Sequence, residues 1–309
     1  MAKKCAFCGI EVRHQSTART RAREHVFPRW ALEEFNLSKA EIEFTEINTM
    51  NGSLHLSKLP PIRKFDLDSF LLGNVCSNCN NGWMSNLESE SKPALREFIA
   101  GRSDAISNDR IVAKWALKTA YSLTAYLNNK NGGVHVRHGR EICGDTLHLP
   151  KGVVIFSSRA AEWKIQFSLT VPAMIDGVDH NLIAEQWAKS YQVFFQFGHA
   201  YFLVRYHPDN RAIVKYHPEL SKIVQTSMRC EPDYSLNPGM AGVEDPDFIF
   251  VMSHKMVSYQ YEPGEIRRND LCHCGSGVKF KYCHGAIPRL RKAPLIRRTA
   301  KLRYFQVDS

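Results

Sequence analysis

The chain has 309 residues, 44% of them hydrophobic and 23% charged, with 41 Lys and Arg against 31 Asp and Glu for a formal net charge of +10. Such a composition excludes a wholly disordered chain, and the length suits one large domain or two to three smaller ones. No stretch approaches the roughly 18 uninterrupted apolar residues of a membrane helix, and no apolar signal core follows Met1-Ala2-Lys3-Lys4-Cys5, so the expected compartment is the cytoplasm with no membrane partner.

In chain order the first landmark is Cys5-x-x-Cys8, answered by Cys76-x-x-Cys79. In a reducing compartment two such pairs read as one four-cysteine zinc site before they read as disulfides, because zinc takes four thiolates in a tetrahedron and needs no oxidant. Between the pairs the sequence is irregular, with β-prone pieces at 41–48 and 54–59 and turn signals at Asn51-Gly52 and Pro60-Pro61. Trp83, Met84 and Leu87 have helical spacing, and Pro93 is expected to end that helix or to start another. Ile111, Val112, Trp115, Ala116, Thr119, Ala120, Leu123 and Leu127 then predict a helix over 109–127 whose stripe faces a core.

Further on the period changes to two. Residues 153–156, then Trp163, Ile165, Phe167, Leu169 and Val171, then Tyr191, Val193, Phe195 and Phe197 predict strands. Gly198-His199 reads as the tight turn of a hairpin into 200–206, and 212–216 adds a strand. The central region is therefore an α+β domain with a mostly antiparallel sheet and no evident chemistry. His199, His207 and His217 read as solvated or capping, and Cys143 and Cys230 as small buried hydrophobes. Residues 231–264, with one short strand near 248–252, read as a linker.

The charge lies at the ends. Residues 1–30 carry seven Lys and Arg against two acids, and 289–309 carry seven against one. Arg289, Arg291, Lys292, Arg297 and Arg298 suit phosphate contacts, which dominate nucleic-acid affinity through counterion release.

Cys5-x-x-Cys8, Arg23-Glu24-His25-Val26-Phe27-Pro28 and Cys76-x-x-Cys79-Asn80-Asn81-Gly82-Trp83 together resemble the HNH nuclease family over about the first 90 residues. The resemblance implies a ββα-metal fold with the Glu-His pair on a strand and Asn80 at the start of a helix. It implies His25 as general base, Glu24 and Asn80 as ligands of a catalytic Mg²⁺ or Mn²⁺, and a structural zinc at Cys5, Cys8, Cys76 and Cys79. The chemistry is coherent: phosphodiester hydrolysis needs a base near neutral pH, and hard oxygen ligands suit a hard cation that stabilises the leaving oxygen. Met84 stands where many members place a metal-binding His, so the catalytic ion is expected either to have Glu24 and Asn80 with water or to recruit Glu88, further along the helix. Asn74 is the nearest candidate for the Asn that orients the catalytic His. Residues 31–70 read as an inserted strand pair or substrate-contacting loop, with His55 in it unassigned. Arg23 and Arg29 flank the site as nucleic-acid contacts.

Residues 267–285, Arg267-Arg268-Asn269-Asp270-Leu271-Cys272-His273-Cys274-Gly275-Ser276-Gly277 through Tyr282-Cys283-His284-Gly285, resemble the SEC-C motif. The motif implies a second zinc held by Cys272, Cys274, Cys283 and His284, and an accessory contact with nucleic acid or protein. The whole reads as α+β: an HNH module (1–90), a central α+β domain (91–262), a zinc knuckle (263–288) and a basic tail (289–309). The expected function is a metal-dependent endonuclease, DNA favoured over RNA, of a kind that suits a defence system. The alternative is a non-catalytic, zinc-dependent nucleic-acid- or protein-binding adaptor with a degenerate HNH site.

Overall fold

In the computed structural model of the chain, the strongest helical stripe of the sequence forms α4 (Arg110–Tyr126), one residue inside each expected end. Asp109 caps it, its Oδ1 accepting from the backbone N–H of Ile111 and Val112 at 2.9 Å each, which satisfies two of the donors a helix leaves open at its start. Every residue from Val112 to Thr124 is buried, Lys114 and Lys118 included, so α4 is a central helix and not a half-exposed one. The structure describes residues 3–12, 21–37, 41–50, 53–58, 65–104, 106, 109–127, 133–144, 146–170, 190–208, 212–223, 228–234, 257–261, 268–270, 278–282 and 302–307.

The N-terminal part comprises β1 (Arg21–His25), α1 (Arg29–Glu34), β2 (Glu41–Met50), β3 (Ser53–Lys58), β4 (Phe65–Asp66), β5 (Leu71–Cys76), the short α2 (Ser77–Cys79) and α3 (Ser85–Ile99). β1 pairs antiparallel with β5, bringing Arg21 opposite Cys76 and His25 opposite Leu71. β2 and β3 form the strand pair expected in the insert. Pro93 neither ends nor starts a helix: α3 runs through it. The carbonyl that proline leaves unbonded belongs to exposed Ser89, where water can take the place of the missing donor.

α3 and α4, with the short α5 (Val136–Glu141), form one layer. The other is the long antiparallel hairpin of β6 (Val153–Thr170) and β7 (Tyr191–Tyr206). Trp115 of α4 meets Phe195 and Phe202 edge-on at 6.0 and 5.6 Å, and Phe27, just beyond β1, stacks on Phe197 at 5.0 Å. The buried cluster is therefore continuous from Phe7 and Phe27 to Tyr206. A second cluster, with Phe156, Phe194 and Leu203, covers the opposite face of the hairpin together with Val214 of β8 (Ala212–Tyr216).

The hairpin turn expected at Gly198-His199 does not exist, because β7 is a single strand through both residues. Gly198, at φ +63°, forms an irregularity matched by a register shift between Arg159 and Lys164 of β6. Core-facing residues are Tyr191, Val193, Phe195 and Phe197 before it and Ala200, Phe202, Val204 and Tyr206 after it. A bulge changes the parity of the alternation, and in sequence that change mimics a chain reversal. His207 is also corrected: it is buried rather than solvated. His199 is partly buried against Gly101 with Nδ1 2.9 Å from Ala160 O, and His217 Nδ1 accepts from Glu219 N–H at 3.2 Å, a capping contact.

Smaller strands complete the sheets: β9 (Ser221–Lys222) pairs with β6, and β10 (Cys230–Pro232) and β11 (Val257–Tyr261) flank β8. β12 (Leu302–Val307), within the expected basic tail, lies between β2 and β6 in the order β3-β2-β12-β6-β7. Val171 and the short strand expected near 248–252 lie outside the described residues.

Two predictions test this packing. A Cβ at Gly198 would lie 2.6 Å from the Ile99 carbonyl oxygen, so Gly198→Ala should lower stability in urea unfolding by about 1–3 kcal/mol. His135 and His138 pack on Tyr191 and Tyr206, and burial pushes their pKa values down from 6.5 to about 4 and about 3. Neutral when folded, they take up protons on unfolding, so they contribute stability that is full above pH 6.5 and is lost as pH falls toward 4 and 3. His138→Phe should flatten the decline in unfolding free energy between pH 6.5 and about 3.

Candidate metal centre and adjoining cleft

The N-terminal cysteines sit in a tight knuckle. Cys5 N–H donates to Ile10 O at 2.7 Å and Gly9 N–H to Cys5 O at 3.0 Å, with Gly9 at φ +74° turning the chain back. Cys76 closes β5 and Cys79 lies one turn further on, so strand and helix present the second pair to the first. The four sulfurs lie within 4.8 Å of one another, with Cys8 and Cys76 3.6 Å apart. Ligands at about 2.3 Å around a tetrahedral zinc stand about 3.8 Å from each other. Ligand type and spacing both fit a structural zinc.

A hydrogen bond with Cys79 draws the Cys5 thiol down to about 4, while burial pushes Cys8 up to about 11. The cluster thus favours a thiolate at Cys5, the form a thiophilic cation binds. Cys143 is not the buried hydrophobe expected from sequence: it is half-buried, and its Sγ lies 3.8 Å from that of Cys79. Cys230 is likewise only partly buried.

Directly after Cys79 the chain kinks within Asn80–Met84, where Gly82 takes a non-helical φ −96°, ψ −114°, before α3 begins. Here Asn80 faces the end of β1 across a cleft of about 250 Å³ whose lining includes Arg23, Glu24, His25, Arg29, Asn80 and Glu88. The structure therefore brings together the proposed catalytic residues, both N-terminal arginines and the substitute ligand Glu88. Met84 lines the same cleft.

His25 Nε2 lies 3.3 Å from Asp68 Oδ1. Asn74, the sequence candidate for orienting this histidine, instead offers its backbone carbonyl to Ala6 N–H at 2.8 Å and so braces the zinc knuckle. Asn80 Nδ2 donates to Asn81 Oδ1 at 3.0 Å, while its own Oδ1 is buried with no hydrogen-bond partner among the described residues. Glu24 is 7% exposed and ion-pairs with Lys118, which is fully buried and also lies 2.9 Å from Glu88 Oε1. Burial raises the Glu24 pKa; the Lys118 ammonium lowers it in part, and the neighbouring Glu88 charge adds to the rise. Burial works against the charge on Lys118, but the two carboxylates more than compensate and hold its pKa above the ordinary lysine value.

Lys118, Asp68 and Cys143 are the site residues missed in the sequence. A lysine inside an otherwise apolar stripe was a usable signal for Lys118, since lysine is almost never fully buried unless paired. The positions of Asp68 and Cys143 have no local signature. Cys272, Cys274, Cys283, His284, Arg289, Arg291, Lys292, Arg297 and Arg298 lie outside the described residues. On either side of the first two of the knuckle's expected ligands the chain is joined, with Phe280 N–H donating to Asp270 O at 2.7 Å and Lys281 N–H to Arg268 O at 3.0 Å.

Among protein families, the SEC-C motif matches residues 268–286. Over 23 residues the chain is 70% identical to the protein translocase subunit SecA of Rickettsia typhi, and equally so to those of Rickettsia massiliae and Rickettsia rickettsii. The match covers 7% of this chain and 2% of each SecA, so the chain spans only a small fraction of those relatives' length. No solved structure matches the chain. Among the described residues no helix is long and apolar enough to cross a membrane.

Cys76→Ser should remove one zinc ion per chain, measured by elemental analysis of the purified protein, whereas Cys143→Ser should leave the count unchanged.

Proposed function

We propose that the chain is a metal-dependent endonuclease of the HNH type. The reading is carried by the convergence of Glu24, His25 and Asn80 on one cleft beside the four-cysteine cluster. Neighbours in sequence could share a cleft by chance, but His25 and Asn80 are 55 positions apart and meet only because β1 pairs with the strand that leads into Cys76 and Cys79.

The donor set fits a hard divalent cation: carboxylates at Glu24 and Glu88, and an unpartnered amide oxygen at Asn80. Mg²⁺ or Mn²⁺ held there would supply positive charge to the scissile phosphate and the departing oxygen. The remaining work falls to the chain's own side chains. Asp68, accepting from Nε2–H, orients the His25 ring and leaves Nδ1 to take the proton of the attacking water. Arg23 and Arg29, exposed on the lining, supply charge for neighbouring phosphates, with Arg29 steadied by Glu33 at 2.8 Å. DNA is the favoured substrate, and the SEC-C segment, with Zn²⁺ on Cys272, Cys274, Cys283 and His284, is the favoured second contact with nucleic acid or a protein partner.

One observation favours the alternative of a non-catalytic, zinc-dependent adaptor: Lys118 already supplies a counter-charge to both carboxylates. A single assay separates the two. Wild type should cleave plasmid DNA with Mg²⁺ or Mn²⁺ and not with EDTA, and His25→Ala should lose roughly 10²–10⁴-fold in rate with zinc content unchanged. Wild type that binds nucleic acid without cutting it supports the adaptor, and faster cleavage of structured RNA reassigns the substrate.

A further inference from the structure

Lys118 lies behind the cleft on α4, a helix whose apolar side chains build the core. Three elements distant in sequence, β1, α3 and α4, meet at its ammonium through Glu24 and Glu88. Filling space there would need only a leucine or methionine, and a buried ion pair is a poor source of stability, since desolvation cancels most of the attraction. What such a pair does provide is fixed geometry. Both carboxylates meet Lys118 through Oε1, which leaves Oε2 of each for a ligand in the cleft that both residues line. The groups around the ammonium are Glu24 with its neighbour His25 on β1, and Glu88 on α3; Arg23 and Arg29 stand on the cleft wall.

We infer that Lys118 is a positioning residue of the cleft: its buried ammonium holds Glu24 and Glu88 side by side so that they engage a divalent cation as a pair. The inference rests on the metal-dependent reading of the cleft and adds the helix that completes it. Met84 offers no hard ligand at the position where an HNH histidine is expected, so the second carboxylate has to come from Glu88, a turn further along α3. Lys118 brings that residue into line with Glu24. It touches neither substrate nor water, and it acts only through the two carboxylates.

The test titrates Mn²⁺ into the full-length, zinc-loaded chain and follows free Mn²⁺ by electron paramagnetic resonance. Lys118→Met should weaken Mn²⁺ binding about 10- to 100-fold, the usual effect of removing a group that orients metal ligands. Zinc content and circular dichroism should not change. Lys118→Arg keeps a cation between the carboxylates and should recover most of the loss, which a purely space-filling role would not. Unchanged or tighter Mn²⁺ binding in Lys118→Met overturns the inference. If that variant does not fold, Lys118→Met combined with Glu88→Gln keeps the wild-type net charge and should bind Mn²⁺ more weakly than Glu88→Gln alone; equal affinity overturns the inference. Wild type that takes up no Mn²⁺ removes the metal-dependent reading and the inference with it. Wild type that binds Mn²⁺ alongside an unaffected Lys118→Met removes the inference only.

Discussion

An ammonium ion in an apolar interior has to find partners for its charge and its hydrogens. Lys118, fully buried on the central helix, therefore constrains everything around it, because β1 must bring Glu24 and α3 must bring Glu88 to the same point. That requirement ties the histidine strand to the helix that follows the cysteines, and both of them to the layer packed on the β6–β7 hairpin. The candidate cleft thus lies where the N-terminal segment and the central helix meet, over one shared core.

The four-cysteine cluster acts on the same geometry from the other side. Cys5 and Cys76 are 71 positions apart, yet the Cys76 N–H lies 3.4 Å from the Cys5 sulfur. Because Asn80 directly follows Cys79, whatever fixes Cys79 also fixes the start of the kinked segment that places Asn80 on the cleft wall. A metal clip across so long a loop removes much of the unfolded chain's freedom. The N-terminal segment does not depend on it alone, since Phe27 and Phe70 pack on Phe197 and Phe167 of the long hairpin. The sulfur of Cys143 beside Cys79 shows how closely the segment after α4 approaches the same cluster.

The excess positive charge takes a different meaning once placed. Arg23 and Arg29 stand on the cleft wall, where a polyanion would meet the proposed catalytic residues. At the other end, residues 302–307 contribute a strand between β2 and β6, so the final segment is part of the sheet as well as a carrier of charge. The SEC-C match at 268–286 lies between the two, a short module known by its ligand pattern.

Sequence alone determined what depends on local periodicity or on close spacing. The limits of α4, the alternating faces of β6 and β7, the β-prone pieces of the insert and the grouping of Cys5, Cys8, Cys76 and Cys79 were all legible, because each follows from residues a few positions apart or from a pair of motifs that only one ion can satisfy. The Glu24, His25 and Asn80 set was legible for the same reason, as short motifs beside the cysteines. Only the tertiary structure decided that Gly198 bulges a single strand where a turn was expected, that α3 passes through Pro93, that Asp68 and not Asn74 faces His25, and that Lys118 joins Glu24 to Glu88. The pairing of Asp68 with His25 spans 43 positions of chain and that of Lys118 with its carboxylates 30 and 94, and no local pattern encodes the far partner of a histidine or a buried charge.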